Sequence, residues 1–328
     1  MGEYPLPLSV IHIDNIGILR SGVRKMNQGN TMFLELVEEA RIGKLFKGAG
    51  GKRFEASGVY LKDGYLHIIF DDNPGLLRLR PDWHNAEEEP VLLDLKGTGA
   101  GYEDITYQSS THRWYCLIEA AETKSGVSMP RVDEFDESFA FIQAHWLNFP
   151  LKAGNKGFEG LSSMHYAGDN YLLGLCEGND CKSGKTGAKP GNGRIQVFKR
   201  VTENWEHVGT IRLPEAVRFK DYASLDVRNG SLTVISQASS AMWVGRLRTQ
   251  PAGLDDLFED EGQLFLFPRD HKGRIMYCNM EGVTWLGDDR LVVVSDKGKA
   301  DQPGHCARKD QSIHIFKLPT PHSSDPSG

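Results

Sequence analysis

A hairpin-like unit recurs five times along this chain, and no other feature of the sequence narrows the possible folds as far. Each unit has an acid beside an aromatic or apolar residue, a short apolar strand, a turn, a second strongly apolar strand and a closing polar residue. The five read FEASGVYLKDGYLHIIFDDN from Phe54, YEDITYQSSTHRWYCLIEAAE from Tyr102, FEGLSSMHYAGDNYLLGLCEGND from Phe158, DYASLDVRNGSLTVISQAS from Asp221 and MEGVTWLGDDRLVVVSDKG from Met280. Their first acids, Glu55, Glu103, Glu159, Asp221 and Glu281, are separated by 48, 56, 62 and 60 residues. The residue closing the second strand follows after 16, 16, 18, 16 and 15 residues, as Asp71, Glu119, Glu177, Gln237 and Asp296. Turns such as KDG, AGDN, RNG and GDD offer the residues that tolerate positive φ, as tight hairpins require.

Each hairpin is followed by a third strand-like run and often a fourth, such as GLLRLR then PVLLDLK. Four short strands per unit of about fifty residues predict an all-β chain folded as a β-propeller, in which radial repetition leaves only short protected edges. The stretch from Glu281 through the termini to Glu55 is about two units long, and SGVRKMNQGNTMFLELVEE from Ser21 resembles SGVYLKDGYLHIIFDD from Ser57. Six blades, the sixth built from N-terminal residues, are therefore favoured, with five as the alternative. The expectation is one propeller domain over residues 1–320 and a disordered polar tail over 321–328.

The net charge of −6 argues against nucleic acid as a partner, because phosphate binding needs a basic face. No window approaches the roughly 20 apolar residues of a membrane-spanning helix, so no membrane partner is expected. The start of the chain shows no signal-peptide pattern. Five cysteines are an odd and sparse set that predicts unpaired thiols and a cytoplasmic setting, with a Cys176–Cys181 bridge or a shared metal as the lesser reading.

Residues at the start of a first strand and the end of the second lie at the same end of an antiparallel hairpin. Glu55 with Asp71 and Asp72, Glu103 with Glu119, Glu159 with Glu177, Asp221 with Gln237, and Glu281 with Asp296 should thus gather at one mouth of the channel. Carboxylates crowded together repel unless a cation compensates, and a hard divalent ion with oxygen ligands, calcium above all, does so. The expected metal ligands are Glu55, Glu103, Glu159, Asp221 and Glu281. Asp72, Glu119, Glu177 and Asp296 form an outer, substrate-facing ring, and Asn73, Asn155, Asn179 and Asn279 are possible neutral ligands. The competing reading has the acids balanced by Lys52, Arg53, Lys156, Arg218 and Lys220.

FEGLSSM, MEGVTWL and FEASGVY resemble the first-strand motif of the esterase-like phytase group of propellers. They are more loosely similar to calcium-dependent lactonase and esterase propellers, in which a Glu joins Asn and Asp on an axial calcium. The resemblance spans about residues 50–318 and implies a propeller and calcium-assisted ester or phosphoester hydrolysis. The chain lacks the dense Asp-rich calcium runs of the well-understood phytase propellers, which weakens the phosphate part.

Among His67, His112, His165 and His305, the last lies in the long loop DKGKADQPGHCARKD and is the histidine expected to serve as general base, with Glu159 as its catalytic partner. The Gly-rich loop after Cys176 does not match a phosphate-binding loop. Its Lys182, with Lys185 and Lys189, is placed to meet an anionic part of a substrate. Trp114, Trp243 and Trp285 are expected to pack between blades. The function expected is metal-dependent hydrolysis of a small ester, lactone or phosphoester. The alternatives are a non-catalytic propeller that binds a cationic ligand or partner protein, and a metal-free propeller enzyme of specialised metabolism.

Overall fold

In the computed structural model, residues 32–45, 53–98, 101–152 and 157–319 are described. After β1 (Met32–Phe33) and β2 (Glu35–Arg41), the chain builds four-stranded antiparallel meanders in sequence. The first is β3 (Ala56–Lys62), β4 (Tyr65–Phe70), β5 (Gly75–Leu79) and β6 (Val91–Asp94). The second is β7 (Ile105–Gln108), β8 (Arg113–Glu122), β9 (Ser128–Phe135) and β10 (Phe141–Asn148). The third is β11 (Phe158–Tyr166), β12 (Asp169–Cys176), β13 (Arg194–Val201) and β14 (Asn204–Arg212). The fourth is β15 (Ser224–Arg228), β16 (Ser231–Ser236), β17 (Ala241–Arg246) and β18 (Gln263–Leu266). The last has β19 (Met280–Trp285), β20 (Arg290–Ser295) and β21 (Ser312–Lys317), with β2 as its outer strand.

The hairpin turns form where the small polar residues predicted them. Both central residues have positive φ at Asp63–Gly64, Ala167–Gly168 and Asn229–Gly230, the geometry that matches strand twist in two-residue hairpins. Two short helices, α1 (Gly184–Gly187) and α2 (Gly304–Ala307), interrupt loops; among the described residues no helix is long and apolar enough to cross a membrane.

Strands β3, β7, β11, β15 and β19 each touch the next around a ring that closes from β19 to β3. Five apolar clusters fill the five gaps between neighbouring sheets. Trp114 packs with Ile69 and Tyr102 between the first and second, and Trp205 with Leu117 and Phe158 between the second and third. Trp243 joins Leu175 and Leu225 between the third and fourth, and Trp285 joins Met242 and Phe316 between the fourth and fifth. Phe54, Ile68 and Val294 close the last gap. The chain is thus a β-propeller, and Trp114, Trp243 and Trp285 pack between blades as expected.

The described residues make five blades and not the favoured six. The segment expected to form a sixth lies partly outside the described residues. Its described part, β1 and β2, adds outer strands: β1 runs parallel to β18, and β2 runs antiparallel to β21. With β19 against β3, the ring has no gap for another inner strand. The polar tail, 321–328, also lies outside the described residues.

Closing a ring with five strands requires their backbones to approach closely, which explains the glycines at positions 58 and 282. A side chain at Gly282 would lie 2.9 Å from the Gly58 Cα, and one at Gly58 would lie 2.8 Å from the Asp104 Cα. These neighbours are backbone and cannot swing aside. Gly282→Val is therefore expected to destabilise the fold by about 1–3 kcal/mol or more through overpacking. An unchanged denaturant midpoint would show that the ring is looser than this.

A candidate acidic cation site at the axial mouth

The acids reach the mouth because the inner strands are bulged there. Phe158 pairs with Cys176 and Gly160 with Leu175, so Glu159 is the extra residue. Met280 pairs with Ser295 and Gly282 with Val294, which leaves Glu281 in the same position. The register of β8 also shifts between Ile118 and Ala121, across Glu119. A bulge turns one side chain out of the alternation, and here it sends carboxylates to the axis. Glu119, Glu159 and Glu177 can each offer one oxygen such that all three lie within 4.8 Å of one another. Glu119 also accepts a hydrogen bond from the Gly157 N–H at 2.7 Å, which fixes its position.

Burial, then the carboxylates of Asp71, Glu119, Glu177 and Asp296, push Glu103 up to about 8. Burial, then Glu103, Glu177, Glu281 and Glu119, hold Glu159 well above the usual carboxylate range. Glu281 is raised in the same way, by burial first and then by Asp296, Asp221 and Glu103. Asp296 is pushed up to about 6, burial outweighing the hydrogen bond from the Lys297 N–H, and Asp71 is raised by burial and Asp72. Among the described residues, no basic side chain forms an ion pair with Glu103, Glu159 or Glu281; the pairs formed by Arg53 go to Glu55 and Asp72. The donor set is all oxygen and several-fold anionic, so it suits a hard divalent cation.

The remaining expected residues divide. Glu55 pairs with Arg53, as the competing charge-balance reading had it. In the first blade the bulged residue between the Ala56–Phe70 and Gly58–Ile69 pairs is Ser57, not Glu55, and its hydroxyl donates to the Tyr102 carbonyl. Asp221 accepts hydrogen bonds from the Ser236 hydroxyl at 2.6 Å and from the Ala238 N–H, yet it lies near enough to raise Glu281. Asp72 is exposed and accepts from the Glu55 N–H. Lys182 forms an ion pair with Asp180 of its own loop. His305 sits on α2 and lines an open cleft with Gln237 and Asn279, two residues that flank the mouth. Asn179 is buried and donates to the Gly187 and Phe219 carbonyls, so it braces a loop. Lys52, Asn155 and Lys156 lie outside the described residues.

The cysteine reading is corrected. Cys176–Cys181 and Cys278–Cys306 are disulfides, and Cys116 is the free, buried one. The first bridge adjoins Glu177 and the second adjoins Asn279, so each ties down a segment that feeds the mouth. The cytoplasmic expectation rested on free thiols and loses that support.

Two buried acids went unnoticed in the sequence. Asp104 accepts from the Leu161 N–H at 2.9 Å and the Ser224 hydroxyl at 3.0 Å, and Ser224 in turn accepts from the Val283 N–H. One carboxylate therefore links blades two, three and four, and through Ser224 the fifth. Farther along the axis, Asp226 accepts from the Thr284 hydroxyl and the Trp285 N–H, while Arg228 donates to the Trp285 and Leu61 carbonyls. These bonds stitch the channel below the mouth. The only sequence signal was an acid at a position where the inner strand would otherwise be apolar.

No family model matches this chain, and no curated protein does. Among solved structures, it is similar to a GH43_1 enzyme from Xanthomonas citri complexed with xylose, at 13% identity and a TM-score of 0.49, covering 88% of this chain and 91% of that one. It is also similar to glutaminyl cyclase from Myxococcus xanthus, at 10% identity and a TM-score of 0.47, covering 89% and 100%. These likenesses bear on neither substrate nor chemistry.

Proposed function

We propose that the axial mouth binds a divalent cation, calcium, and that the protein is a propeller hydrolase of a small ester, lactone or phosphoester. The observation that carries the reading is the convergence of Glu119, Glu159 and Glu177, each able to offer an oxygen within 4.8 Å of the others, with Glu103 and Glu281 near enough to raise Glu159. When bound, calcium supplies Lewis acidity to a substrate oxygen or to water. The chain's own residues hold the ion, keep the site enclosed and handle protons. Asp296, pushed up to about 6, exchanges its proton near neutral pH, and His305 lies on the adjoining cleft as the second candidate for that role.

The same raised carboxyls favour a second reading, in which Glu103 and Asp296 perform acid–base chemistry without a metal. Melting curves with calcium and with chelator separate the two. Calcium at a hundredfold excess over its Kd should stabilise the native state by about 2.7 kcal/mol. Glu159→Gln should erase that increment, whereas Glu55→Gln, which removes a carboxylate already paired with Arg53, should retain most of it. Superimposable wild-type curves would remove the metal reading.

A further inference from the structure

The cleft that His305 lines lies between the fourth and fifth blades beside Gln237 and Asn279, is open to solvent and has a volume of about 660 Å³. Its walls differ in kind from the mouth. Ile275, Pro303 and the Cys278–Cys306 disulfide give an apolar side, while Lys299 and His305 present nitrogen donors. Lys299 is exposed and forms no ion pair among the described residues, although Asp301 shares the rim. The loop carrying these groups is held in place: Asp310 is buried and accepts from the Asn279 amide at 2.7 Å, the Gly298 N–H at 3.0 Å and the Gln302 amide. The cleft's volume falls in the range of small-molecule sites, and its braced wall carries a few directed polar groups.

We propose that this cleft binds the anionic, apolar-bodied end of the substrate, a small carboxylate, with Lys299 and His305 receiving the carboxylate and the Ile275 side receiving the hydrocarbon. Carboxyl groups crowd the mouth, whereas Lys299 and His305 stand on the cleft, so an anionic group is better seated in the cleft. The inference deepens the hydrolase reading by naming a substrate class, and rests on that reading only for the cleft's role in turnover.

Binding of 3-phenylpropionate and its uncharged analogue 3-phenylpropanamide, followed by protein NMR on calcium-saturated and chelator-treated samples, tests it. The carboxylate should shift the His305 ring and backbone signals around Lys299, and bind at least tenfold more tightly than the amide. The double variant Lys299→Met/His305→Gln should reduce carboxylate affinity to that of the amide without changing the calcium-dependent melting increment. Equal affinity for both probes, shifts that map elsewhere, no binding at all, or indifference to the double variant would overturn the assignment. Cleft binding without any calcium increment would instead leave the pocket standing and remove the metal from the mouth.

Discussion

Freed of divalent cations, the protein should lose stability as pH rises from about 6.5 to about 8. Glu103 and Glu159 keep their protons in the folded state at pH values where an unfolded chain has lost them. Their contribution is complete below the ordinary glutamate range and disappears as pH climbs through the folded value, which for Glu103 is about 8. Each carboxyl so held changes stability by about 1.4 kcal/mol per pH unit at most, less for groups that solvent partly reaches. Asp296 acts in the same sense only up to about 6. Glu39 has the opposite sign, the hydrogen bond from His314 leading in holding it down to about 2, so its contribution is lost only in acid. Burial also lowers His67, to about 4, and His207 and His314, whose contributions rise with pH up to the ordinary imidazole value of 6.5, which is why the fall is read above it. Calcium should flatten the slope, because the ion takes the place of the protons, and its stabilising increment should grow between pH 5.5 and 8. Thermal denaturation across this range with chelator and with calcium provides the check. A flat profile in chelator would mean that the acids are already neutralised by something other than protons.

Asp104→Ala should cost about 2–5 kcal/mol, among the largest losses from any single polar substitution in the molecule. The change leaves the Leu161 N–H without its 2.9 Å acceptor and the Ser224 hydroxyl without its 3.0 Å acceptor in a place that water does not reach. A buried donor stripped of its partner forfeits about 1–3 kcal/mol. It also opens a gap where three blades meet. Ser224→Ala, which removes only the relay to Val283 and one bond to Asp104, should cost about 1 kcal/mol. Urea midpoints at constant slope measure both. If Asp104→Ala proved no worse than Ser224→Ala, the carboxylate would not be the hub described above.

The blades were legible because hairpin turns and strand pairs are local: Asn229–Gly230 and Asp63–Gly64 specify their turns from two residues each. What depends on register was harder to read. In FEASG the acid is followed two residues later by Ser-Gly, and only the pairing of Ala56 with Phe70 reveals that Ser57, not Glu55, takes the bulge. Contacts made across the ring were not legible at all. Cys278 and Cys306 are 28 residues apart with β19 and β20 between them, and nothing local pairs them. Asp104 is bonded to residues 57 and 120 positions away. The blade number turned on the same difficulty, since a strand-like N-terminal segment reads alike whether it begins a sheet or finishes one.

The strand that finishes the last blade sets an order of events during synthesis. β2 is made before the inner strands of all five blades, and its partner β21 emerges after them: Glu35 pairs with Lys317. At about 5–20 residues per second, the nascent β2 waits roughly 15–60 s for its neighbour. Through that interval it is an unpaired edge, open to pairing with strands of other chains. Its sequence, ELVEEAR, carries three glutamates and an arginine among seven residues, the kind of charge that keeps a lone edge from recruiting strangers. The acids of β2 thus serve the chain before it has a channel, a mouth or a completed ring.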